Sequence, residues 1–270
     1  MIILKKTFQI IGLIGIVCFS FFITEKTTNV VKNVDDIMIS IKENMSEYER
    51  KSKDAEIIDD SIIPGISGRE VNVEKSYKNM RKNGYYSDKL FIYNYIKPNI
   101  SLNDNKDKYI IKGPADKRMV SLLFIVDDEN IDSIISILDN YKISANFFIS
   151  NTTSLDDLIN KNHIIGLNVI DSNSISYIDN AVKSLNKQSN GFCIASNDYK
   201  QLCLDLDNYL IKPTYINDNI LENVKKEVES GSILAFRINR ELKKDLSNII
   251  IYLKNKGYNI DNLNNHVLEI

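Results

Sequence analysis

The chain has 270 residues, a length for one or two domains, and its 43% hydrophobic and 26% charged residues are the balance of a folded protein with a buried core. Its 34 basic and 36 acidic side chains leave a net charge of −2, and no basic stripe interrupts that balance, so nucleic acid is excluded as a partner held by charge.

At the start, Phe8 to Ile23 form an uncharged apolar run behind Lys5 and Lys6. With Thr7 and Thr24 added, the run is just long enough to cross roughly 30 Å of hydrocarbon as a helix. The two lysines predict a cytoplasmic N-terminus. Residues 1–25 are therefore expected to be a membrane anchor, with the rest of the chain extracellular, as in a single-pass cell-membrane protein. The alternative is a cleaved signal peptide. The segment after the run, Phe21-Phe22-Ile23-Thr24-Glu25-Lys26, lacks the small residues that a cleavage site needs.

Residues 26–60 are polar, with Val30, Val34, Ile37, Ile41 and Tyr48 recurring near a heptad rhythm. They predict a helical stalk or linker, and two readings stand open: pairing with a second copy into a homodimer, or a single amphipathic helix. Pro64, Gly65 and Gly68 break any helix and mark a domain boundary. Residues 61–114 are expected to be an extension that packs on the domain that follows. It holds a helix over Asn72–Lys82 and an aromatic-rich strand within Leu90–Leu102. Tyrosines in that strand either pack against the domain or stack on sugar rings.

From residue 115 to 270 strands and helices alternate. Strands are predicted at Val120–Val126, Ser144–Ile149, Ile164–Ile170, Phe192–Ile194, Tyr209–Ile211, Ser232–Phe236 and Tyr258–Ile260. Helices are predicted at Ile131–Tyr141, Leu155–Ile159, Ile175–Leu185, Asn219–Glu229 and Glu241–Lys256. Strands that are apolar almost throughout belong to a parallel sheet covered on both faces. The fold class expected is α/β, a (β/α) barrel with its site at the C-terminal strand ends.

Several anchors in this order resemble the polysaccharide deacetylase family, also called the NodB-homology domain, from about Val120 onward. The family opens with an apolar strand ending in T-F-D-D-G, then a helix, then K-A-T-F-F. Here stand Leu123-Phe124-Ile125-Val126-Asp127, the predicted helix, and Ser144-Ala145-Asn146-Phe147-Phe148. The family's G-H-E-I-G-N-H-S-x-x-H meets Asn162-His163-Ile164-Ile165-Gly166-Leu167-Asn168-Val169-Ile170-Asp171-Ser172, and its late P-G-S-I-x-L-x-H meets Ser230 to Arg237. The resemblance implies a distorted βα barrel acting on acetylated cell-envelope glycans. It also implies a metal, often zinc, held by an Asp and two histidines to activate water, with a second Asp as base and a late His as acid.

The residues that would carry this chemistry are changed. The paired acids fall on Ile125 and Val126, the metal histidines on Asn168 and Ser172, the late His on Arg237, and the arginine motif near Cys193-Ile194-Ala195. Only two histidines exist, His163 and His266. Asp127 and Asp128 are weak catalytic or cation-binding candidates just past the first strand, to be joined by Asp171; the competing reading makes them a solvated loop that caps the next helix. No resident cofactor is expected unless that active alternative, with zinc or another divalent metal, holds. Asn168, Arg237, Asn197 and Asp171 are the candidate binding residues at the mouth, Arg237 being suited to a carboxylate or phosphate. Cys193 and Cys203, ten apart, are either a disulfide or two buried hydrophobes. The function expected is a membrane-anchored, catalytically inactive deacetylase-like protein that binds cell-wall glycan or an envelope protein. The alternatives are an active deacetylase with a non-standard site and a stalk-paired scaffold.

Overall fold

The computed structural model describes residues 14–20, 22, 32–126, 130–152, 158, 163–172, 175–187 and 191–269. Half of the apolar run at 8–23 lies outside these residues, and no helix among the described residues is long and apolar enough to cross a membrane. Asp127 and Asp128 also lie outside them, as does most of the helix predicted around Leu155–Ile159.

The chain divides into two compact units, Met1–Lys51 with Gly68–Ile96, and Ser52–Ser67 with Lys97–Ile270. The stalk expected at 26–60 and the extension expected at 61–114 therefore do not form separate blocks; each is split between the two units. In the first unit, helix Asp36–Tyr48 is capped by the Asp35 carboxylate, which accepts from Ile37 N at 3.0 Å. Helix Val73–Asn83 is capped by Asn72 and ends at Gly84 in the left-handed conformation, φ 81°. Strands Gly68–Val71 and Tyr93–Ile96 pair antiparallel. Ile41, Val71, Met80 and Phe91 form the core, with Ile37, Met45, Tyr48 and Tyr93 packed on it. Of the apolar side of the expected stalk, Ile37, Ile41 and Tyr48 are thus covered by their own unit, because an amphipathic helix gains most by burying its stripe, while Val34 stays exposed and Val30 lies outside the described residues. The aromatic strand also packs there, through Phe91 and Tyr93, while Tyr95 stays exposed.

The second unit is built on a parallel sheet: β1 Met119–Val126, β2 Asn146–Ile149, β3 Ile164–Val169, β4 Phe192–Ala195, β5 Tyr209–Leu210, β6 Thr214–Ile216, β7 Ile233–Arg237 and β8 Asn259–Ile260. The order across the sheet is β5-β4-β3-β2-β1-β7-β6, with β8 pairing the start of β1. Alternation along β1 explains its continuous apolarity. Val120, Leu122, Phe124 and Val126 join the layer of helices, whereas Leu123 and Ile125 face an inner cluster with Phe148, Ile194, Ala235, Leu263 and Val267. Helices α1 Asp132–Tyr141, α2 Ile175–Asn186, α3 Lys200–Asp205, α4 Ile220–Glu227 and α5 Arg240–Asn255 follow their strands. At the start of α1 it is Asn130 whose side chain accepts from Asp132 N, at 3.0 Å.

The N-terminal end of the inner cluster is closed by α6, Leu263–Val267, whose Leu263 and Val267 are fully buried. Its last carbonyls, of Asn265, His266 and Leu268, all accept from Lys117 Nζ at 2.9 to 3.2 Å, a cation at a helix C-terminus. Asn146, fully buried, donates to Leu122 O at 3.0 Å and accepts from Leu263 N at 2.8 Å, tying β1, β2 and α6 together. Strand Tyr109–Ile110 runs beside Ile211 and carries Tyr109 to the opposite, C-terminal end of the sheet.

Candidate functional site

A hollow of about 370 Å³ opens at the C-terminal ends of β3, β4 and β5, with Tyr215 of β6 beside it. Its apolar side is Ile194, Ile211 and Pro213, and its polar side is Tyr109, Asn168, Ser196, Asn197, Lys212 and Tyr215. The alternation of strand side chains places Asn168 here, because Leu167 and Val169 on either side of it belong to the outer layer. Tyr109 donates its phenol proton to Asn197 Oδ1 at 3.1 Å, which fixes the amide so that its Nδ2 is the group left to donate. Burial raises the pKa of Tyr109 and of Tyr215, with the charges of Lys200 and of Arg237 respectively acting in the opposite direction. Both phenols therefore stay protonated near neutral pH and serve as hydrogen-bond partners.

Cys193 and Cys203 are joined in a disulfide with Cα atoms 6.0 Å apart, and both residues are fully buried. The bridge ties β4 to α3 and so clasps the segment carrying Ile194, Ser196 and Asn197. Bridge and burial, alternatives in the sequence, occur together.

Asn168 and Asn197 both line the hollow. Asp171 does not; it is exposed and lines a smaller adjoining depression, which Asn168 shares. Arg237 ends β7 in register with Ile125, is exposed, and lies outside the lining, though its charge reaches Tyr215. Tyr109, Lys212 and Tyr215 were not among the residues expected here. The signal for Lys212 lay in Lys212-Pro213 directly after the apolar run Tyr209–Ile211; Tyr109 is distant in sequence and carried no such signal.

The donor set does not suit the metal that the family resemblance implies. Ile125 and Val126, at the positions of the paired acids, are 2% exposed and sit in the inner and outer apolar layers. Asn168 and Ser172 hold no imidazole. His163 lies before the N-terminal end of β3, its Nδ1 accepting from Ala145 N at 3.2 Å. His266 lies on α6, beneath β1. Neither reaches the mouth, and among the described residues no three His, Cys, Asp or Glu side chains cluster in a way that could hold a metal ion.

The fold that positions this hollow is that of the family 4 carbohydrate esterases, the NodB-type polysaccharide deacetylases, as the order of strand motifs led one to expect. The second unit and its mouth are accordingly deacetylase-like in architecture. Within that fold, the family 4 carbohydrate esterase pseudoenzyme of Bacillus anthracis superposes with a TM-score of 0.63 at 21% identity, over 87% of this chain and 96% of its own. A mutant of that pseudoenzyme, with restored enzymatic activity, superposes equally, at 0.63 and 20% identity over 87% and 99%. Bacillus subtilis PdaA, a family 4 carbohydrate esterase, gives 0.51 at 15% identity over 61% and 86%. No family profile matches the sequence. An uncharacterised Bacillus subtilis protein, YlxY, is 33% identical over 128 residues; the match spans 46% of this chain and 40% of that protein.

Proposed function

We propose that this protein is a non-catalytic member of the polysaccharide deacetylase fold that binds cell-envelope glycan in the hollow at its sheet mouth. A single N-terminal helix holds it at the membrane, with the domain outside. The observation that carries the reading is Ile125: where the metal chemistry needs a carboxylate, an apolar side chain completes the inner core. Water activation has no centre at that position, while the hollow keeps amide, hydroxyl and phenol groups around an apolar side, the composition of a sugar site. Likeness to a fold relative described as a pseudoenzyme supports the same reading. The uncharged run Phe8–Ile23 behind two lysines supports the anchor, and a buried disulfide suits an oxidising exterior.

The test uses the full chain in detergent micelles, exposed to zinc, cobalt and manganese and assayed for bound metal by mass spectrometry. Acetate release from, and binding to, N-acetylglucosamine oligomers and cell-wall glycan fragments are then measured. The expected result is saturable glycan binding without stoichiometric metal or released acetate. Stoichiometric metal together with acetate release would replace this reading by the active one, with Asp127, Asp128 and Asp171 as the first ligands to substitute.

A further inference from the structure

We propose that the ligand of this hollow is an anionic glycan, bearing phosphate or uronate carboxylate groups, and that Lys212 is the residue that selects for the charge. This rests on the glycan-binding reading above and narrows it.

Among the described residues that line the hollow there is no carboxylate, and Lys212 is the one cation, exposed on the segment between β5 and β6. The surroundings reinforce its charge. Lys200 Nζ lies 4.9 Å from the ring centroid of Tyr109, a lining residue, and is held there by Asp60, whose two oxygens are 2.8 and 2.9 Å away. Lys108 and Lys212 act electrostatically on that same Asp60, and Lys108 lies 3.9 Å from Asp107, so three ammonium groups face two carboxylates, an excess of one positive charge (3 − 2) at this edge. On the other side Arg237 acts on Tyr215.

The neighbouring acids do not cancel this charge at the hollow. Asp171 stands in the adjoining depression, Asp198 follows Asn197 on an exposed turn outside the lining, and Asp207 is paired with Lys106 at 2.6 Å. A neutral sugar would be served by Asn168, Ser196 and Asn197 alone. An exposed lysine at the edge of the hollow discriminates between neutral and anionic oligomers by charge, an effect that salt screens.

The experiment titrates the full chain, in detergent micelles at low and physiological salt, with three oligomers. These are a neutral N-acetylglucosamine hexamer, a hyaluronan hexasaccharide carrying carboxylates, and a short glycerol-phosphate oligomer. At low salt at least one anionic oligomer is expected to bind about tenfold more tightly than the neutral hexamer, the gain of one charge-assisted hydrogen bond. The advantage should shrink with salt. Lys212→Gln should remove most of it, Lys212→Arg should retain it, and Lys244→Gln, on the exposed side of α5, should leave it unchanged. Which anionic arm binds distinguishes phosphate from carboxylate. If the neutral hexamer binds as tightly as both anions, or Lys212→Gln keeps the preference, the inference falls while the glycan reading stands. If none of the three binds, both fall.

Discussion

Ser121 Oγ lies 2.8 Å from His266 Nδ1, across 145 residues of sequence. The serine hydroxyl has one proton, and it donates that proton to Asp261 O at 2.8 Å. Ser121 therefore accepts from His266 Nδ1–H, which fixes the tautomer and leaves Nε2 as a buried lone pair without a hydrogen-bond partner among the described residues. Gly113 makes room for that ring edge: a Cβ built there would stand 2.2 Å from Nε2.

Acid should act on this pair first. Burial, and then the charge of Lys117, lower the His266 pKa to about 3. In the unfolded chain the imidazole takes up a proton below its ordinary pKa of about 6.5, whereas in the folded chain it stays neutral to about 3. Stability is thus unaffected above that range and falls as pH drops through it, by at most about 1.4 kcal/mol per pH unit from this group. Glu269, whose pKa burial raises, works in the opposite sense near its own titration. Urea unfolding at pH 7, 5.5 and 4 should show a steeper loss for the native chain than for His266→Gln; equal slopes would remove His266 from the account.

Asn146 is the second long-range tie. Asn146→Ala strands the buried carbonyl of Leu122 and the N–H of Leu263, and should cost roughly 2–4 kcal/mol in chemical denaturation at pH 7. A loss below about 0.5 kcal/mol would mean that neither group depends on the amide.

Asp179, nearly buried on α2, pairs with Lys183 at 2.9 Å and accepts from Asn208 Nδ2 at 2.8 Å; Asn208 in turn accepts from Gly191 N at 2.8 Å. Removing the carboxylate leaves Lys183 without its counter-ion. Asp179→Ala is expected to cost about 3–5 kcal/mol, and Asp179→Asn less, since its amide oxygen still accepts from Asn208. Equal losses in the two variants would show that the Asn208 hydrogen bond adds nothing to the ion pair.

The Cys193–Cys203 bridge closes a loop of ten residues, for which the chain-entropy estimate is about 2–3 kcal/mol. A reductant, or the double serine variant, should lower the thermal midpoint accordingly and loosen the Asn197 side of the hollow, read as weaker glycan binding.

Ile125→Asp tests the core argument directly. A lone carboxylate among Phe148, Ile194 and Ala235 has no partner at that place, and the change should cost roughly 3–5 kcal/mol without conferring zinc binding, since Asn168 and Ser172 remain. Stoichiometric zinc in this variant would show that ligands outside the described residues, Asp127 or Asp128 among them, complete a site.

Much of this was legible in the sequence for a local reason. Apolar runs such as Val120–Val126 declare a strand buried on both faces, and the order of strand and helix patterns declares a parallel sheet, because side-chain periodicity is a property of neighbours in the chain. That position 125 offers no metal donor was equally legible, since an isoleucine side chain carries none whatever surrounds it. Tertiary structure alone decided the rest. It turned the expected stalk helix onto Met80 and Phe91, sent both histidines to the N-terminal side of the sheet, and left Arg237 outside the hollow. It brought Tyr109 and Lys212 to Asn168 and Asn197. Those outcomes depend on which surfaces meet when distant segments pack, and the energy of such contacts is shared between residues that no local pattern relates.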